Sequence, residues 1–77
     1  MTDEDLQRFA LAKMANVLGP ERAHQMLARL LSELQMELRT PQDLLRLSER
    51  MTTMGGFEGA VGAMLGVAAV LRGATRS

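Results

Sequence analysis

The 77-residue chain has no cysteine, no tryptophan, no tyrosine, only two prolines and a single histidine. Without cysteine there can be no disulfides and no thiolate metal sites, and one histidine is too few for a typical structural zinc site. The longest uncharged run extends from Gly59 to Leu71, which is shorter than the about 20 residues that a membrane-spanning helix requires. These absences exclude most supports of a small domain other than helix packing and self-association.

An excess of charge of either sign is also missing, because nine basic residues balance nine acidic ones. A neutral chain lacks the overall positive charge that generic binding to nucleic acid requires. The sequence begins Met-Thr-Asp-Glu-Asp, which is acidic where a secretory signal peptide would be basic. The absence of cysteine is compatible with a reducing compartment, so we expect a cytoplasmic protein.

Turn and cap signals divide the single domain, residues 1–77, into four helices at about 3–18, 20–38, 41–54 and 57–72, followed by a frayed tail at 73–77. Gly19-Pro20 ends one helix and starts the next. Thr40, with proline next and Asp43 three residues on, is typical of a capping box. Thr2 and Asp5 suggest a similar cap for the first helix. No alternating pattern of β-strands is present, so the predicted fold class is all-α.

The fourth helix carries small residues at steps of three and four, which place them on one helical face. Three interior glycines there cost roughly 3 kcal/mol relative to alanine, and close contact between backbones would offset that cost. Two interpretations of this contact stay open: helix 1 or helix 2 approaches the glycines, or two copies of the chain do. Insertion of helix 4 into a membrane surface is a third option, although the helix lacks the basic polar face of interfacial helices. The residues predicted to make this contact are Gly59, Gly62, Gly66, Ala69, Val67 and Val70.

Helix 4 is apolar on nearly every side. One stripe contains Phe57, Val61, Leu65 and Ala68, and a second, on another face, contains Ala60, Ala63, Val67 and Val70. A helix that is apolar all round has to be covered all round. Because three short helices are few for this task, we expect a second chain, either another copy or an obligate partner, to cover part of helix 4.

Catalytic and metal-binding patterns are weak. Glu21 and His24 have the Glu-x-x-His spacing of di-iron bundles, but the further glutamates that such sites need are missing from the facing helix. No serine has a histidine or lysine placed to activate it. We therefore predict no catalytic residue, no metal, no cofactor and no enzymatic activity.

Two other surfaces are candidates for binding. Met36 lies on an otherwise polar helical face, where an adaptable methionine side chain can contact a partner protein. Arg46 and Arg50 lie on the predicted exposed face of helix 3, together with Gln42, and arginine and glutamine can bind base edges in a DNA major groove. A solvated helix face is the simpler explanation of the same residues.

The sequence as a whole predicts a compact four-helix domain built as two helical hairpins, helices 1–2 and helices 3–4, that forms a homodimer. The predicted function is a non-enzymatic protein–protein interaction module or adaptor, which binds itself through the glycine-containing helix 4 and also binds another protein. The alternative is a dimeric DNA-binding transcriptional regulator that uses helix 3.

Overall fold

The fold was obtained as a computed structural model that describes residues 3–75, with side chains described from 6 to 75. It contains four helices and no strand within 3–75: α1 (Asp3–Leu18), α2 (Pro20–Leu34), α3 (Pro41–Thr52) and α4 (Gly56–Leu71). The radius of gyration is 11.0 Å, close to the about 11.5 Å expected for a compact domain of this length. The predicted compact all-α fold is confirmed, whereas the Thr2–Asp5 cap lies outside the described residues.

The helices α1 and α2 are joined by one residue, Gly19. Its φ of 91° lies in a region that side chains disfavour, so glycine suits the sharp reversal. The Gly19 amide donates to the Ala15 carbonyl at 2.9 Å, and the Gly19 carbonyl accepts from Ala23 at 2.9 Å. The same glycine therefore closes α1 and opens α2, as the Gly-Pro signal predicts.

The second helix is shorter than predicted, because it ends at Leu34 and not at Leu38. Gln35 adopts the left-handed conformation, with φ 52° and ψ 48°, and the Met36 amide bonds back to the Leu31 carbonyl at 3.1 Å. Leu38 is nevertheless buried. It enters the core from a non-helical segment, so the apolar spacing indicates its burial but not its conformation.

The third helix begins with the predicted capping box, which is confirmed. The Asp43 amide donates to the Thr40 hydroxyl at 3.2 Å, and the Thr40 amide donates to the Asp43 carboxylate at 3.0 Å. Two of the amides that a helix start leaves unpaired are thus satisfied. The helix ends at Thr52, slightly before the predicted Met54.

The helices pack most extensively as two sequential pairs, α3 with α4 and α1 with α2, and α1 also contacts α4. The core takes buried side chains from all four helices, including Leu6, Met14, Leu30, Leu44 and Leu65. Each helix supplies them at steps of three or four residues, the spacing of a single helical face. The arrangement leaves one side of α4 without a neighbouring helix.

The segment after α4 differs from the predicted frayed tail where the structure describes it. Ala74 is buried. The Thr75 amide donates to the Gln42 side-chain oxygen at 3.0 Å, and the Gln42 side-chain amide donates to the Thr75 carbonyl at 3.1 Å. Residues 73–75 are therefore attached to the start of α3, and residues 76 and 77 lie outside the described part of the chain.

Candidate interaction surface

Gly59 and Gly62 lie on the inner side of α4, against α3. A methyl group on Gly62 would lie 2.8 Å from the Met51 Cβ, 2.8 Å from the Thr52 amide nitrogen and 2.9 Å from the Ser48 carbonyl oxygen. These distances are too short for a real contact, so glycine is required there for the two helix backbones to approach. We call Gly59, Gly62, Gly66 and Ala69 the glycine seam, and it is covered within the chain. At Gly62 the neighbour is α3 rather than the expected α1 or α2.

The opposite side of α4 is exposed and entirely apolar. We call it the α4 outer face, and it consists of Phe57, Ala60, Ala63, Met64, Val67, Val70 and Leu71. Phe57, Val67 and Leu71 keep 73%, 57% and 81% of their surface exposed. Scattered exposed apolar residues are normal, but a contiguous group marks a binding surface more often. Of the seven large hydrophobic residues exposed in the described chain, five belong to this face.

The two charged residues of α4 and its carboxyl-terminal cap, Glu58 and Arg72, are directed away from the outer face. Glu58 lies within 3.2 Å of the Arg22 guanidinium, at the start of α2. The Arg72 guanidinium lies 4.2 Å from the ring centroid of Phe9, on α1, where the aromatic face attracts a cation. Both charges are thus used within the chain, and the α4 outer face carries no ionisable group.

The predicted contact residues divide between the two sides of α4. Gly62, Gly66 and Ala69 are buried on the inner side, and Gly59 is half-buried there. Val67 and Val70, in contrast, lie on the outer face.

The other members of the outer face were not predicted as interface residues: Phe57, Ala60, Ala63, Met64 and Leu71. The second apolar stripe of the sequence contained part of this set. The position of α3 decides which stripe remains uncovered, and no local sequence signal specifies that position.

The remaining predicted binding residues lie on other helices and loops. Met36 is only half-exposed and packs against the core, so it is less available to a partner than its polar surroundings suggest. Arg46 and Arg50 are both exposed on α3. The Arg50 guanidinium donates to the Thr53 hydroxyl at 3.1 Å and lies 3.5 Å from the Glu33 carboxylate.

The Glu-x-x-His pair is placed in the first turns of α2, where Glu21 and His24 are both exposed. Within the described part of the chain, no three acidic or histidine side chains converge on a point where a metal could bind. None of the helices described is long and apolar enough to cross a lipid bilayer. The α4 outer face is therefore the most distinctive surface feature of the described residues.

Comparison with protein-family models, with curated proteins and with solved structures gave no match for this chain. The function has to be inferred from the α4 outer face and from the surfaces of the other helices.

Proposed function

We propose that the protein is a non-enzymatic interaction module that associates with a second copy of itself through the α4 outer face. The observation that supports this proposal is the exposure of Phe57, Val67 and Leu71 on a helix whose other side is buried. Transfer of apolar surface out of water is the main favourable contribution to association. The proposed contact uses the outer face, and the glycine seam acts indirectly by fixing α4 against α3.

The size of the surface is sufficient for a weak dimer. The exposed fractions of its side chains correspond to on the order of 500 Å² of apolar surface, near the upper end for a typical monomer. Two such faces together would bury about 1,000 Å², at the low end of specific interfaces. We therefore expect a weak, reversible dimer.

A second copy fits this surface better than a charged partner does. The outer face has no charge with which to attract an acidic or basic molecule, so complementarity has to come from apolar area and shape. Another copy presents an equally apolar face of equal length. Two-fold dimers, in which the same patch contacts itself, are the commonest soluble oligomers.

The test is sedimentation of the full chain over a concentration series from about 1 to about 100 µM. The mean mass should rise from 8.4 kDa towards twice that value. Val67→Glu should remain monomeric throughout, because dimerisation would bury an unpaired carboxylate. Gln25→Glu adds the same charge at an exposed position of α2 and should dimerise as the unmodified chain does.

An unmodified chain that stays monomeric at the highest concentration would refute the proposal. Equal dimerisation of Val67→Glu and Gln25→Glu would also refute it, because the contact would then lie elsewhere.

For the adaptor role, we propose that another protein binds to a surface away from α4. The exposed side of α3 with Arg46 is the surface that we propose for it. The alternative proposal uses this same side of α3 for DNA in a dimeric regulator, and the exposure of Gln42, Arg46 and Arg50 supports it. Gln42 and Arg50 are already hydrogen-bonded within the chain, which makes this alternative weaker.

The DNA alternative predicts salt-sensitive binding to a DNA duplex that is lost when Arg46 and Arg50 are both replaced by alanine. Fluorescence anisotropy of a labelled duplex at low salt measures it. No binding under those conditions would eliminate the alternative.

A further inference from the structure

The side chains of the α4 outer face are not evenly distributed by size. Its amino-terminal half contains the two small residues, Ala60 and Ala63, after Phe57 at the start of the helix. Its carboxyl-terminal half contains Val67, Val70 and Leu71. Met64 lies between the two halves. The face therefore has a shallow stretch at Ala60 and Ala63, between the ring of Phe57 on one side and the bulkier residues of the carboxyl-terminal half on the other. A shallow stretch next to bulky residues is a shape that can complement itself.

We infer that two copies pair their α4 helices in an antiparallel manner, about a two-fold axis that passes near Met64. This inference rests on the proposed function and specifies how the partner is oriented. In this register Val67 packs over the partner's Ala60. Phe57 packs between the partner's Val70 and the partner's Leu71. Val67 of each copy then fills the gap that Ala60 leaves in the other copy.

A parallel pair would combine the same residues less well. Each side chain would face its own copy, so that Ala60 would meet Ala60 and leave a gap between the bulkier contacts of Phe57 and Val67. Interfaces with packing as dense as a protein interior require large residues opposite small ones. The positive and negative ends of the helix dipoles also lie side by side in an antiparallel pair, and like ends meet in a parallel one.

The absence of native cysteine makes the orientation directly measurable by disulfide trapping. With the axis near Met64, two copies of position 60 lie roughly 12 Å apart along the helix axis. A disulfide needs Cα atoms no more than about 7 Å apart. Ala60→Cys should therefore not link to itself, whereas a mixture of Ala60→Cys and Val67→Cys should form a mixed dimer.

The experiment uses oxidation of the full-length chains, with one variant carrying a mass tag so that mixed and self-linked dimers separate on a non-reducing gel. The mixed product should exceed the Ala60→Cys self-product by at least about tenfold, in line with the distance limit of a disulfide. Gln25→Cys, exposed on α2, measures linkage by random collision. Met64→Cys, near the proposed axis, should link to itself well above that level.

The possible outcomes separate the two levels of the proposal. If Ala60→Cys links to itself and the mixture gives no excess of mixed product, the helices are not paired antiparallel about an axis near Met64; that inference is then wrong and the self-association stands. If Met64→Cys and the mixture link no better than Gln25→Cys, and sedimentation shows a monomer, the proposed function fails as well. Circular dichroism of each variant verifies that the helices are retained.

Discussion

The two sides of α4 have nearly the same apolar character and opposite structural roles. On the inner side, Val61 and Leu65 have no exposed surface, whereas the outer side leaves Val67 and Leu71 largely accessible. Hydrophobicity does not distinguish them; what does is the presence of Gly62 where α3 approaches. Both sides of α4 are apolar, and the covered side is the one on which a glycine lets the α3 backbone approach closely.

The largest expected difference between the two sides concerns two leucines on the same helix. Leu65→Ala removes a fully buried side chain and should lower the free energy of unfolding by about 2–5 kcal/mol. Leu71→Ala removes a side chain from a residue that is 81% exposed. It should change the free energy of unfolding of the dilute monomer by less than about 0.5 kcal/mol.

Urea titration followed by far-UV circular dichroism measures both values. Similar losses for Leu65→Ala and Leu71→Ala would show that the outer side is covered within the chain, and the comparison would fail.

The next effect in size compares two glycines. Gly62→Ala should destabilise the fold by about 1–3 kcal/mol, because the added methyl group meets the α3 backbone and forces the helices apart. At Gly59 the nearest atom to such a group is the Thr52 carbonyl oxygen at 3.6 Å, an ordinary contact. Gly59→Ala should therefore raise stability by up to about 1 kcal/mol through helix propensity.

The opposite signs of the two glycine variants constitute the test, again by denaturant unfolding. A stabilising Gly62→Ala would mean that the close approach of α3 and α4 is not maintained in solution.

The smallest effect concerns the charge that α4 directs towards α2. Glu58→Gln removes the ion pair with Arg22, which is partly exposed, and should cost about 0–1 kcal/mol. The loss should shrink at high salt, because ions screen the pair. Glu49→Gln, at an exposed residue for which the described chain shows no ion pair, serves as the matched control.

If Glu58→Gln abolished dimerisation in sedimentation without changing stability, Glu58 would belong to the interface. The statement that Glu58 is directed away from the α4 outer face would then be incorrect.

Local sequence signals predicted the helices and their two sequential pairs, but not which helix packs against Gly62 of α4. Two helix boundaries depend only on a few neighbouring residues: the Gly19-Pro20 junction and the Thr40–Asp43 capping box. The local sequence is therefore enough to predict both. The end of α2 could not be predicted, since Gln35 adopts a left-handed conformation that glutamine rarely takes. There the apolar spacing extends to Leu38, which is buried without being helical.

The candidate surface was only partly predictable for a different physical reason. In an amphipathic helix the polar side marks the solvent, but α4 has no polar side from which the orientation could be inferred. Val67 and Val70 were predicted as contact residues together with Gly62, although the structure places them on different sides. The distinction depends on where α3 packs, which is a long-range property of the fold.

The close contact at Gly62 also bears on how the domain opens and forms. Because α3 and α4 are neighbours in the chain and share the most extensive helix contact, we expect them to form a cooperative unit at little cost in loop closure. Their backbone amides should exchange with deuterium only when the whole domain unfolds, whereas those near Gln35 should exchange through local fluctuations. The packing of α3 against the inner side of α4 leaves the outer face exposed. The same packing would make α4 one of the last elements to unfold.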